Sequence, residues 1–237
     1  MKADVIVYVH DIISASRSFP LTPQGIISRF ITGRYLEYLE NADHILAASE
    51  LTKDQIIEKT NYDGKMDVVY QGVDNLPHKS SEKRDIDLFY VGSLADHKRP
   101  AFIRELFSEA VEKGYNVAHV TESDMKGKTY REVSEAKLAE LYSRSRYYIH
   151  PSRIEGFGRC PLEAQRYGAT PMAFENSINE EILGESYVKI KSVNDALENL
   201  ESERNHDLIS RGIRNSERFK WSKTRNELKD VLTSDSM

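Results

Sequence analysis

The chain has 237 residues, with 33 basic against 38 acidic side chains and a formal net charge of −5. That length holds one large domain or two small ones, each able to bury a core, and the mild negative balance argues against wholesale nucleic-acid binding, which leaves a basic footprint. The single cysteine, Cys160, excludes an internal disulfide and gives no sign of an oxidising compartment.

At the N-terminus the apolar run Val5–Val9 is stopped by His10 and Asp11. It is too short for the apolar core of a signal peptide, and no run approaches a membrane span. A cytoplasmic protein is expected. Val5–Val9 reads as a buried strand. Ile26, Ile27, Phe30, Ile31, Tyr35, Leu36 and Leu39 recur at helical spacing, so an amphipathic helix is predicted over about 25–41. His44–Ser49 is a strand, with Ser49 capping a helix from Glu50 to about Thr60. Met66–Tyr70 is a strand that ends at a loop marked by Gly72 and Pro77.

After hydrophilic residues 77–85, which resemble a linker, the alternation restarts. Strands are predicted at 86–92, 116–120, 147–150, 170–174 and 187–190. Helices are predicted at 100–112, 134–144, 161–167 and near Glu180, and the chain from Val193 onward is charged and helical. Strands and helices alternating at this spacing specify parallel strands joined by crossover helices, an α/β fold. The expected division is a small N-terminal α/β domain (1–76), a Rossmann-like domain (77–219) and a C-terminal helix (220–237) packing back on the first.

The stretch His150–Pro171, HPSRIEGFGRCPLEAQRYGATP, places Glu155 and Glu163 on either side of a glycine-lined bend. Ligands of open parallel sheets sit beyond the carboxyl ends of the strands, and 147–150 is such a strand. Pro161 suits the first turn of a helix, where its missing N–H costs nothing, which would put Glu163 in that first turn. Gly156 and Gly158 let the main chain approach a ligand closely. The first N–H groups of such a helix, those of Gly158, Arg159 and Cys160, with the helix dipole, make an anion site. A carboxylate on each side can accept hydroxyl hydrogens. Ribose, diphosphate and sugar in sequence have that layout. The bland alternative is a loop turn followed by a solvated first-turn glutamate.

These residues carry a resemblance. PSRIEGFGRCPLEA resembles the E-x7-E segment of retaining glycosyltransferases of family 4, which have the GT-B fold of two facing Rossmann-like domains. ADHILAASELTKDQI and VVYQGVD are similar to the end of that family's N-terminal domain and its interdomain connection. LFYVGSLADHKRP is similar to the first strand and loop of its nucleotide-binding domain. AKLAELYSRSRYYIHPS and RFKWSKTRNEL resemble the approach to the motif and the closing helix. The resemblance implies transfer of a hexosyl group from a nucleotide diphosphate sugar to an acceptor (glycan, lipid or protein), with the donor as substrate and neither cofactor nor metal. It implies that Glu155, with Gly156, Phe157 and Gly158, holds the transferred sugar. Glu163 would accept from the ribose hydroxyls, and Lys98 would sit on the diphosphate. His10 matches a histidine that faces the sugar in some members of the family.

Two departures stand out. Ser93 follows Gly92 where the family usually has an arginine, so Arg99, Arg153 or Arg159 would have to substitute at the diphosphate. The chain also starts far into the family's N-terminal domain. Either a shortened first domain suffices, or the chain is a nucleotide-sugar-binding subunit inactive alone, completed by a partner subunit or second copy. Asp85-Ile86-Asp87 precedes its strand rather than following it, so a metal-binding D-x-D is rejected, and no cysteine or histidine cluster has metal-ligand spacing. Cys160 is read as a packing residue. The helix bearing Ile26–Leu39 is a core or interdomain helix, with membrane-surface contact through Arg29 and Arg34 the lesser reading.

Overall fold

The computed structural model describes residues 5–13, 23–77 and 83–234. The expected linker at 77–85 lies outside the described residues over 78–82, as does the side chain of Arg29. The chain divides into two compact units. One comprises Met1–Gln71, Glu155–Phe157 and Thr224–Met237, and the other Gly72–Ile154 and Gly158–Lys223.

In the first unit β1 (Ile6–Val9), α1 (Pro23–Glu40), β2 (His44–Ala47), α2 (Glu50–Lys59) and β3 (Lys65–Val68) follow one another. The strands form a parallel sheet in the order β1-β2-β3. Ser49 caps α2, its hydroxyl oxygen accepting from the Thr52 N–H at 3.0 Å. Val9, Ile12, Leu39, Ile45 and Ile56 are buried together. Fully burying each such side chain stabilises the unit by roughly 2 kcal/mol.

Only part of α1 behaves as its spacing predicts. Leu39 is buried, and Tyr35 and Leu36 pack against the same cluster. Ile26, Ile27, Phe30 and Ile31 are each more than half exposed. The apolar positions form two stripes on the helix rather than one, and only the stripe through Tyr35, Leu36 and Leu39 meets the sheet.

The second unit contains β4 (Ile86–Val91), α3 (Pro100–Glu112), β5 (Val117–Val120), β6 (Lys128–Tyr130), α4 (Glu135–Arg144), β7 (Ser145–His150) and α5 (Arg159–Arg166). Next come β8 (Thr170–Ala173), α6 (Ser177–Leu183), β9 (Val188–Lys189), α7 (Val193–Glu201) and α8 (His206–Ser216). Six parallel strands pair in the order β6-β5-β4-β7-β8-β9. Alternation decides the layers. Leu88, Tyr90, Tyr147 and Ile149 pack with α3 and α7 on one face. Phe89 and Tyr148 pack with α4 and α5 on the other. The aromatic cluster there is tight, with Phe89 edge-on to Tyr142 at 5.4 Å and Tyr142 stacked on Tyr167 at 6.1 Å.

The last helix, α9 (Trp221–Ser234), starts in this unit, where the Trp221 N–H donates to Asp74 Oδ1 at 2.8 Å. Its later turns belong to the first unit, where Val231 and Leu228 cover Leu46 and Val69. Strand β6 was not expected. It is three residues of a polar edge, and no apolar run announces it. The charged tail resolves into three helices because Ser202 ends α7 and the Asn205 side chain caps α8.

Candidate functional site

The order of the larger sheet locates a reversal. From β4 the chain moves outward to β5 and β6, then returns to β7 on the other side and continues to β8 and β9. The reversal falls between β4 and β7, and the crevice outside the carboxyl ends of such a strand pair is where open α/β sheets take ligands. The loops that follow those two strands carry Gly92, Ser93, Lys98 and Gly158.

The loop after β4 is anchored. Gly92 has φ 142, a region L side chains rarely enter, and its N–H donates to Val120 O at 3.0 Å. The Tyr90 hydroxyl donates to Ser93 O at 2.6 Å. A single 3-10 turn, Asp96–Lys98, presents Lys98 just before α3. Arg99, next in sequence, is left-handed at φ 51, and its guanidinium lies 4.0 Å over the Phe174 ring.

Gly158 sets the start of α5. Its φ of 87 turns the chain directly into the helix, and an added Cβ would stand 2.9 Å from Ile182 Cδ1. The helix therefore opens at Arg159, two residues before Pro161, and Glu163 sits in its second turn rather than the first. Glu163 is buried, with 5% of its surface exposed. Oε2 accepts from the Tyr142 hydroxyl at 3.1 Å, and Oε1 from Arg159 Nη2 at 3.2 Å. Each oxygen retains one lone pair for a further donor. Burial raises the carboxyl above the ordinary glutamate value, against the opposing pull of Arg159 and of the Tyr142 hydrogen bond. Arg159 Nη2 also donates to Asn75 Oδ1 at 3.0 Å. Cys160 is partly buried against the aromatic cluster.

Glu155, Gly156 and Phe157 belong to the first unit. The Gly156 carbonyl accepts from the hydroxyls of Ser49 at 2.6 Å and Thr52 at 3.2 Å, all of it buried. Phe157 is fully buried with its ring 5.9 Å from Tyr70. Glu155 is half-buried. The exposed His10 ring has Nδ1 3.6 Å from Asp11 Oδ2, and the His10 backbone oxygen occupies the space that a side chain on Gly156 would need.

The sequence-predicted residues therefore separate. Gly92, Ser93, Lys98, Gly158, Arg159, Cys160 and Glu163 lie at the carboxyl edge of the larger sheet, while His10, Glu155, Gly156 and Phe157 lie in the first unit. Sequence reasoning missed Tyr142, Ser49 and Thr52 as partners of this machinery. Asp85 and Asp87 are structural: Asp85 takes Arg144 through both oxygens at 2.8 Å, and Asp87 takes Arg146 at 2.9 Å. Among the described residues no group of three or more His, Cys, Asp or Glu is arranged to hold a metal, and no helix is long and apolar enough to cross a membrane.

Known proteins resemble the chain in sequence and in fold. Residues 126–229 match the family model of Glycosyl transferases group 1. The O-antigen chain mannosyltransferase RfbU of Salmonella typhimurium is 27% identical over 200 residues, covering 73% of this chain and 56% of RfbU. The chain thus spans about half the length of that relative. Among solved structures, sucrose-phosphate synthase from Thermosynechococcus elongatus superposes with a TM-score of 0.76 at 15% identity, over 97% of this chain and 67% of that one. Alr3699/HepE of Anabaena, solved with UDP and glucose, gives 0.73 at 14% identity, over 98% and 72%. These likenesses establish the fold.

Proposed function

We propose that the chain, whose residues 126–229 match the group 1 glycosyltransferase model and whose fold is that of GT-B structures, moves a hexosyl group from a nucleotide diphosphate sugar to an acceptor hydroxyl, with retention and without a metal. The observation that carries this reading is the start of α5. Gly158 opens a helix whose first N–H groups point out of the carboxyl edge at the strand reversal, with a buried carboxylate one turn further on.

In the second unit the N–H groups of Gly158, Arg159 and Cys160, with Lys98, hold the diphosphate. Glu163, positioned by Tyr142 and Arg159, accepts from the ribose hydroxyls. In the first unit Glu155, Gly156 and Phe157 hold the transferred sugar, and His10 faces it. The acceptor oxygen bonds to the anomeric carbon on the face from which the diphosphate oxygen departs. The acceptor proton leaves with the nucleotide diphosphate. Stabilisation of the departing charge by fixed donors is worth on the order of 3 kcal/mol for each donor in a site shielded from water.

The test is a thermal-shift panel of nucleotide diphosphates and their sugars on the wild type and on Glu163→Ala, since a ligand bound to the native state raises the melting temperature. One family of nucleotides should stabilise the wild type, and Glu163→Ala should weaken it by about 1–3 kcal/mol, or roughly 5- to 150-fold. No shift with any nucleotide would sink the reading. The protonated acid is a poorer acceptor, so affinity should fall as pH drops through the raised value of Glu163. That loss should begin at less acid pH than an exposed glutamate would give, and Glu163→Gln should flatten the profile.

A further inference from the structure

We propose that the second unit has another anion site, distinct from the donor's, which takes a phosphate or diphosphate group in a cleft lined by Arg99, Arg153 and Lys191. The cleft encloses about 520 Å³ and is built from the segments that follow four neighbouring strands: the start of α3 after β4, Arg153 after β7, Phe174 after β8 and Lys191 after β9. It opens on the face of the sheet that carries α3, whereas α5 and Glu163 lie on the opposite face.

The charges there have no internal answer. Among the described residues none of the three cations forms an ion pair, and the two acids that share the lining, Asp96 and Glu105, make none with them. Asp195, close to Lys191 in sequence, is occupied by the Lys191 backbone N–H at 2.8 Å and the Ser192 hydroxyl at 2.9 Å. Arg99 Nε is buried without a hydrogen-bond acceptor. A guanidinium N–H withdrawn from water and left unsatisfied is costly, and gathering like charges around a concavity adds repulsion, so an oxyanion entering the cleft relieves both. Burial, and then Arg153, depress the ionisation of Arg99, as crowded cations do.

The geometry is held rather than accidental. The Arg153 N–H donates to His97 O at 2.8 Å, which ties the loop after β7 to the turn after β4. Phe174 supports the Arg99 guanidinium at 4.0 Å and meets Phe102 edge-on at 5.0 Å. The two rings give the cleft an apolar wall, with room for more than the bare ion.

The reading of Arg99 as a donor ligand and this assignment make different predictions. Inorganic pyrophosphate is titrated at constant ionic strength into the whole chain while the Nε–H resonance of Arg99 is followed by NMR. A saturable shift is expected. It should weaken at least tenfold in the double variant Arg153→Ala/Lys191→Ala and return in Arg153→Lys/Lys191→Arg, which keeps the charge. Both side chains are exposed, so the fold should survive the change. Lys98→Ala should leave the titration within twofold. An unmoved Arg99 resonance, an unchanged titration in the double variant, or an equal loss in Lys98→Ala would each overturn the proposal.

Discussion

Glu155→Ala is expected to lower sugar transfer by two to three orders of magnitude, on the order of what removing one fixed donor or acceptor at a reacting centre costs, while nucleotide affinity stays within a few-fold. The split follows from where the groups lie. Glu155 is seated in the first unit beside Gly156, whereas the proposed contacts to the diphosphate and ribose belong to the second. A carboxylate that positions the sugar acts on the transition state and little on the nucleotide. Single-turnover transfer together with calorimetric titration of the nucleotide separates the two quantities. Full transfer by Glu155→Ala would remove that residue from the mechanism.

Gly156→Ala should produce the second large effect, for a steric reason. A Cβ there would stand 2.1 Å from His10 O and 2.5 Å from Asp11 Cβ. The first obstacle is main chain, which cannot swing aside as a side-chain tip can. Residues 155–157 would have to leave their seat, and the buried hydroxyls of Ser49 and Thr52 would lose the Gly156 carbonyl as acceptor, keeping only the bond between them. The cost should be about 3 kcal/mol or more, seen as a lower midpoint in urea, and transfer should be lost with it. Gly33→Ala is the control. Nothing lies within 4 Å of its added Cβ, and alanine favours the helix by close to 1 kcal/mol. A silent Gly156→Ala would contradict the seating of this loop.

What could be read in advance follows from range. The strands β4, β7 and β8 and the capped helix α2 were legible because their signals are local: short β-rich runs, and Ser49 one residue before the helix. The start of α5 was misjudged because Pro161 is a strong local mark, yet the left-handed Gly158 governs where the helix begins. The second task of Ser49 was invisible, since its acceptor lies 107 positions away. Glu163 could be picked out as an acceptor but not as a buried one. Its burial depends on Tyr142, from a different helix, and on Arg159 folding back one turn. Arg99 shows the same limit. Nothing in its neighbours announces that it turns toward Phe174, on a strand end 75 positions later.

The most direct measurement is a crystal structure of the chain with the nucleotide diphosphate sugar that stabilises it most. The account predicts the diphosphate against the N–H groups of Gly158, Arg159 and Cys160, with both ribose hydroxyls donating to Glu163. A donor bound with its phosphates elsewhere, and Glu163 still satisfied by Tyr142 and Arg159 alone, would contradict it.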